Sequence, residues 1–122
     1  MFLRFVVGGD DEHHKLLTGL VAESRLLRDK GVLTDYECEN LENIYEWFNT
    51  NLPCPPFDSA GWSRDAVSWF KDSAKDPIKK IRELSIVLES HGLLVRTLRS
   101  ERPGKVLYED EYQIVVMERE RL

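Results

Sequence analysis

The first part of the chain alternates between a strand-like and a helix-like pattern of apolar residues. Residues 2–7 are rich in β-forming side chains and apolar on both faces, which is typical of a central strand. Leucine and valine then recur close to a 3.6-residue period between positions 16 and 27, which predicts a helix. The acids at 10–12 suit the beginning of this helix, and Gly31 suits its end.

A second helix is predicted immediately afterwards. Thr34 and Glu37 have the spacing of a capping box, and an apolar stripe continues through residues 35–49. Because only a few residues join the two helices, we expect an antiparallel αα-hairpin.

The middle of the chain contains a break, a short apolar run and a third helix. Three prolines within residues 53–56 favour an extended path. Residues 66–70 are compatible with a short strand or with one turn of helix, and we favour the strand. Asp76 and Pro77 are typical of a helix beginning, with Asp76 as the cap. His91 followed by a glycine predicts the end of this helix.

The last thirty residues read as β structure. Strands are predicted at residues 93–98, 105–108 and 112–117, separated by a turn at 102–104 and an acidic turn at 109–111. The predicted order is therefore β-α-α-β-α-β-β-β within one domain, residues 1–122. This order favours an α+β, two-layer fold in which a mixed or antiparallel sheet of three to five strands carries the αα-hairpin and the further helix on one face.

Composition and charge narrow the classes of protein. The chain has 122 residues and a net charge of −5, and the acidic excess lies in its first half. This charge argues against a broadly basic nucleic-acid binder, although it allows a local basic face. No apolar run is long enough to span a bilayer, and the beginning of the chain lacks a signal-peptide pattern, so we expect a cytoplasmic protein with no membrane partner.

Motifs for cofactors, metals and catalysis are not found in the sequence. It has no phosphate-binding loop, dinucleotide fingerprint, HExxH motif or nucleophile elbow. The adjacent His13 and His14 point about 100° apart on a helix, so they do not chelate one ion. Cys38 and Cys54 lack metal-ligand spacing, and we expect both to be reduced and one to be buried. We therefore predict no cofactor and no metal, and the catalytic residues stay unknown.

A region rich in aromatic and charged residues is the strongest candidate for a binding surface. Arginine side chains suit carboxylate or phosphate groups, and a tryptophan in a loop is a frequent contact residue. The predicted ligand- or partner-binding residues are Trp62, Lys71, Arg99, Arg102, Tyr108 and Glu109. The competing interpretation is structural: the arginines pair with the acids of residues 109–111 across a hairpin, and Trp62 packs its own loop.

Three segments give the chain a resemblance to a known family. They are residues 47–53 (WFNTNLP), 69–74 (WFKDSA) and 102–113 (RPGKVLYEDEYQ). With them the chain, from residue 1 to about 118, resembles a family of small bacterial proteins that have no assigned activity. The resemblance implies a stand-alone bacterial, cytoplasmic protein, and it implies no catalytic residue.

Three functions remain open at this point. The first is a small non-enzymatic binding or interaction module with a protein partner. The second is an enzyme or binder that holds a small anionic ligand through Arg99 or Arg102, with Glu109 or Asp110 as a base. The third, disfavoured by the net charge, is a weak nucleic-acid binder. It would use the cations Lys79, Lys80, Arg82, Arg96, Arg99, Arg102 and Lys105. The oligomeric state is not predicted.

Overall fold

The computed structural model describes residues 1–8, 18–57, 59–62 and 66–118, which form three helices and an antiparallel sheet. The strands are β1 (Phe2–Val7), β2 (Thr18–Gly19), β3 (Ala66–Lys71), β4 (Val95–Ser100), β5 (Gly104–Glu109) and β6 (Gln113–Glu118). The helices are α1 (Leu20–Asp29), α2 (Asp35–Asn51) and α3 (Lys75–Ser90). The predicted α+β, two-layer class is confirmed, and the two-residue β2 is an addition to the predicted order.

Strand β1 is central in the sheet, as its apolar pattern predicts. It pairs with β4 along its whole length. Its other edge is shared, because Phe2 and Leu3 pair with β3 while Val6 and Val7 pair with β2. Since β3 also pairs with β6 and β6 with β5, the five longer strands follow the order β4–β1–β3–β6–β5.

The sheet is strongly coiled. In a flat sheet, β4 and β5 would lie four strand spacings apart, about 19 Å. The connection from Ser100 to Gly104 reaches at most about 14 Å even when it is fully extended. The two outer strands must therefore approach each other where this connection joins them. Leu98 of β4 packs against a buried cluster of Trp69, Ile114 and Val116, which places the concave face on the side of these residues.

The opposite face of the sheet carries the helices, and we call it the helical side. Its main core joins alternate residues of β1, such as Leu3 and Phe5, to the buried faces of all three helices. The helices contribute Leu20, Leu27, Leu41, Ile44, Ile78, Ile81, Leu84, Val87 and Leu88. Because paired residues of neighbouring strands point to the same face, the strand register assigns every strand residue to the helical or the concave side.

Helix α3 crosses over β1. Strands β3 and β4 both run antiparallel to β1, so they are parallel to each other, and α3 connects them. The helix begins at Lys75 with Ala74 as its N-cap, so the predicted cap at Asp76 is wrong. Pro77 lies in the first turn, where its missing N–H costs no hydrogen bond. His91 and Gly92, with a φ of 84°, end the helix as predicted.

The first two helices agree with the prediction in part. The capping box of Thr34 and Glu37 is present at the beginning of α2. Gly31 follows α1 with a φ of 72°, as expected of a residue after a helix end. However, α1 begins at Leu20, and Thr18–Gly19 is a strand paired with β1, so the predicted helix is too long. Three predictions lie wholly or partly outside the described residues. They concern the turn at Gly8-Gly9, the acids at 10–12 and the pair His13-His14.

Two further predictions are corrected. Strands β4 and β5 do not form a hairpin, because β4 pairs with β1 and β5 with β6. The acids of residues 109–111 therefore do not lie next to a strand that is paired with β4, where they would face its arginines across a hairpin. Cys38 is half-buried and Cys54 is exposed, so neither free cysteine is the buried one that was expected.

The described residues contain no cluster of three metal-ligating side chains, and no described helix is both long and apolar enough to cross a membrane.

Candidate anion-binding groove

One flank of α3 carries three cations in line. The apolar positions of the helix, Ile78 among them, face the core, and the N-terminal half of the remaining surface is basic. Lys75, Lys79 and Arg82 are spaced i, i+4 and i+7, so their side chains lie above one another on the helix surface. We call these three residues the cationic flank.

An open groove of about 330 Å³ lies along the cationic flank. Its floor is apolar, because it is formed by Leu3 of β1 and Ile78 of α3, which are each 8% exposed. Its walls are the three cations and Asp72, the residue that follows β3. The groove therefore combines an apolar floor with a predominantly positive rim.

The other flank of α3 shows which way the groove faces. There, Lys80 lies over the ring of Trp47 on α2, with its nitrogen 5.9 Å from the ring centroid. Helix α2 leads to Pro53, whose carbonyl oxygen accepts a hydrogen bond from Gln113 of β6. Strands β6 and β4 lie on opposite sides of β1. The cationic flank therefore lies on the side of α3 that faces away from α2.

Arg99 of β4 adds a fourth positive charge beside the groove. It is the register partner of Leu3, so both side chains are on the helical side of the sheet. Paired residues of antiparallel strands have Cβ atoms about 5 Å apart. Arg99 is exposed, and it lies next to the groove floor rather than inside the core.

The cations of the groove form no ion pair with an acid in the part of the chain that the structure describes. Within the described ranges, no acid forms an ion pair with Lys75, Lys79, Arg82 or Arg99. Asp72 lies 3.7 Å from the α-amino nitrogen of Met1 instead. On the other flank of the same helix, by contrast, Lys80 pairs with Glu83 at 3.4 Å.

The cations of the flank repel one another, although Lys79 has acids at helix spacing. Like charges at i,i+4 or i,i+3 on a helix each cost about 0.2–0.5 kcal/mol, while Asp76 and Glu83 lie at i,i+3 and i,i+4 from Lys79 and contribute attractions of similar size. Lys75 also lies in the first turn of α3, where the helix dipole is positive. A bound anion would relieve both effects, so the groove is chemically suited to carboxylate or phosphate groups.

The six residues predicted from the sequence do not form a single surface. Lys71 and Glu109 form an ion pair at 2.5 Å on the concave side, where their register partners Phe2 and Ile114 lie. Arg99 is on the helical side, beside the groove. Arg102 is exposed in the connection between β4 and β5.

Trp62 and Tyr108 form a separate aromatic cluster at the other end of the sheet. Their ring centroids are 6.3 Å apart, and Trp62 also contacts Phe57 edge to face at 5.6 Å. The Tyr108 hydroxyl donates a hydrogen bond to Asp110, and this bond raises the pKa of Tyr108. Trp62 thus packs its own loop against β5.

Asp110 is held ionised by its neighbours. Partial burial acts to raise its pKa, but hydrogen bonds from the Tyr112 backbone N–H, the Tyr108 hydroxyl and the side chain and backbone N–H of Gln113 more than offset this. The pKa of Asp110 is therefore below its ordinary value. A general base at neutral pH needs a raised pKa instead.

The cations considered for nucleic-acid binding are distributed over different surfaces. Arg96 pairs with Val6 in the register and so points to the concave side, opposite to Arg99. Lys80 faces α2, and Lys105 lies on β5. Only Lys79, Arg82 and Arg99 of the predicted set lie at the groove.

Sequence reasoning missed Lys75, Leu3 and Ile78 as groove residues. The i, i+4, i+7 spacing from Lys75 was visible, but the predicted helix began after this residue. The apolar floor could not be predicted, because a leucine or isoleucine that lines a groove follows the same sequence pattern as one that is buried in a core.

Comparison with protein-family models, curated proteins and solved structures finds no match to this chain.

Proposed function

We propose that this protein is a small non-enzymatic binding module that takes an anionic ligand in the groove beside α3. The observation that carries the proposal is the set of Lys75, Lys79, Arg82 and Arg99. The first three line one groove, Arg99 is the register partner of its floor residue Leu3, and none of the four is paired with an acid in the described parts of the chain, although the protein has a net charge of −5. A bacterial cytoplasmic setting is part of the same proposal.

The alternative of an enzyme has less support. It needs one pocket that joins Arg99 or Arg102 to Glu109 or Asp110, but the groove is lined by none of these four. Glu109 is paired with Lys71, and the pKa of Asp110 is lowered. The proposal therefore assigns no general base.

The alternative of nucleic-acid binding also has less support. A polymer contacts many cations on one face, and its binding weakens steeply with salt. The groove offers a short stripe of cations, and its volume suits a few anionic groups rather than a long backbone.

The test is an amide-resolved NMR titration with sodium pyrophosphate, a small polyanion. We expect shifts centred on the first half of α3 and on Arg99. In the double variant Lys79→Gln/Arg82→Gln we expect affinity to fall tenfold or more, because hydrogen bonds to charged groups contribute about 1.5–3 kcal/mol each.

A charge-matched control separates groove binding from general attraction. Lys30→Gln/Lys105→Gln removes the same charge from two exposed cations outside the groove. We expect this variant to bind pyrophosphate within about twofold of the parent. Equal losses in both double variants, or shifts spread over all surface cations, would contradict the proposal.

A further inference from the structure

The residues that line the groove carry a small surplus of positive charge. Lys75, Lys79 and Arg82 contribute three positive charges and Asp72 contributes one negative charge, which leaves a surplus of two. A phosphate monoester carries a charge of about −1.5 to −2 at pH 7, whereas a carboxylate carries a single negative charge. One phosphate monoester therefore neutralises most of the surplus, and one carboxylate leaves about half of it.

Two of the cations have a spacing that one phosphate group can bridge. Lys79 and Arg82 are three residues apart on α3, so their Cβ atoms are neighbours on the helix surface, about 5–6 Å apart. An arginine guanidinium donates two parallel hydrogen bonds to a phosphate, and a lysine ammonium can donate to another oxygen of the same group. The pair is therefore suited to hold a single phosphate group.

The groove has more room than one phosphate group needs. Its volume is about 330 Å³, and ligand pockets that hold small organic molecules begin at about 300 Å³. One molecule of liquid water takes about 30 Å³, so the groove has room for about eleven heavy atoms of that size. A phosphate group supplies five of them, which leaves room for an organic group of about six heavy atoms.

The remaining room lies over an apolar surface. Leu3 and Ile78 form the floor, and both belong to the main core, so packing with the core fixes their positions. The aliphatic stems of the lysines on the wall extend the apolar surface. An apolar group on this floor removes hydrocarbon from water, whereas a second charged group there would lose hydration without gaining a partner.

We infer that the ligand of the groove is the phosphate monoester of a compact apolar organic group. This inference rests on the proposed function and names its ligand class. The phosphate lies between Lys79 and Arg82, and Lys75 adds a further positive charge at the rim. The organic group lies on Leu3 and Ile78.

The test measures the affinity of the full chain for methyl, propyl, pentyl and heptyl phosphate by NMR titration. Complete burial of one methylene corresponds to about a fourfold gain in affinity, and the groove is open on one side, so we expect about twofold per added methylene. Pentyl phosphate should therefore bind tenfold or more tightly than methyl phosphate. Heptyl phosphate should bind within about twofold of pentyl phosphate, because its chain is longer than the room on the floor.

Two further ligands and one direct contact test the parts of the inference separately. Hexanoate, which carries a carboxylate on the same pentyl chain, should bind about fivefold or more weakly than pentyl phosphate. The uncharged 1-pentanol should bind at least tenfold more weakly. Nuclear Overhauser effects should join the pentyl protons to the methyl groups of Leu3 and Ile78.

The variants test the cations of the groove. We expect Lys79→Gln/Arg82→Gln to weaken binding of pentyl phosphate tenfold or more, and Lys30→Gln/Lys105→Gln to leave it within twofold. Circular dichroism of each variant confirms that its fold is intact, as expected for exposed side chains. The ligand series uses the unaltered chain, so its result does not depend on the folding of any variant.

The outcomes separate the inference from the proposed function. If pyrophosphate binds at the groove but pentyl phosphate binds no more tightly than methyl phosphate or hexanoate, the inference is overturned and the proposed function stands. The same holds if the pentyl protons show no contact with the floor. A gain that continues through heptyl phosphate also overturns the inference, because it indicates a lipid-like ligand. If neither pyrophosphate nor any alkyl phosphate binds, both are overturned.

Discussion

The side chain of Gln113 ties the proline-rich connection to the sheet, and removing it should be costly. Gln113 is 3% exposed. Its Oε1 accepts a hydrogen bond from Ser68 Oγ at 2.7 Å, and its Nε2 donates to the Pro53 carbonyl at 2.8 Å and to Asp110 at 3.1 Å. Replacement by leucine keeps a side chain of similar size and removes all three bonds.

The expected cost follows from these contacts. Three hydrogen bonds at about 1 kcal/mol each give a loss of about 3 kcal/mol. The additional apolar burial of leucine returns up to about 1 kcal/mol, which leaves a net destabilisation of about 2 kcal/mol. With an unfolding entropy of about 2.1 cal/mol/K per residue, this corresponds to a fall in Tm of about 8 °C.

Urea denaturation of Gln113→Leu measures this free energy of unfolding, provided that the m-value is unchanged. Ser68→Ala is the matched control, because it removes only one of the three bonds and should cost about 1 kcal/mol. In the double variant the Ser68 contribution should disappear, because its acceptor is already gone. A loss below about 0.5 kcal/mol for Gln113→Leu would refute the reasoning that this network anchors the connection.

Three further predictions concern stability. Thr34→Ala removes the hydroxyl that accepts the Glu37 N–H in the capping box, so chemical denaturation should show a loss of about 1 kcal/mol; an unchanged midpoint would contradict the role of the cap. Trp69→Phe should cost less than about 1 kcal/mol, because the buried Nε1–H has no acceptor in the described structure and its removal offsets the lost packing; a loss above about 2 kcal/mol would contradict this offset. Acid should destabilise the fold, because the pKa of Glu37 is lowered by the Thr34 backbone N–H and by His91, and the pKa of Asp110 is lowered by the hydrogen bonds that it accepts. The stabilisation from each carboxylate is present above its ordinary pKa of about 4 and is lost as the pH falls through the lowered folded-state pKa. Asp110→Asn should therefore make the free energy of unfolding, measured by urea denaturation at several acidic pH values, depend less on pH than that of the parent.

Local sequence patterns predicted the helices and strands of this fold better than they predicted which strands pair with each other. The capping box at Thr34 and the glycine after His91 act through neighbours within one turn, so the sequence contains the whole interaction. The strand that was favoured over a helical turn at residues 66–70 is confirmed as part of β3, and its short, mostly apolar run is again a local pattern. Strand β4 was also found, but its pairing with β1 joins residues that are about 88 to 98 positions apart in the sequence, which no local pattern records.

The two wrong helix beginnings have different causes, one within the helix itself and one in strand pairing. Asp76 and Pro77 are good residues for a helix start, yet the helix begins at Lys75, because proline is tolerated anywhere in the first turn and Asp76 still benefits from the dipole there. The other case is the beginning of α1. The leucine periodicity assigned Thr18 and Gly19 to this helix, but both residues pair with β1 as a short strand.

The groove depends on two features that the sequence patterns did not predict, the beginning of α3 at Lys75 and the pairing of β4 with β1. A helix that began at Asp76 would exclude Lys75, and the cationic flank would lose the residue that gives it a length of about 10.5 Å. A hairpin between β4 and β5 would have given Arg99 acidic neighbours, and a paired arginine would have little attraction left for a ligand. Because β4 instead pairs with β1, Arg99 lies beside Leu3 with no acid on that strand. The property that makes the groove a candidate site is the absence of ion pairs around its cations within the described structure, and for Arg99 this follows from the strand order rather than from any motif.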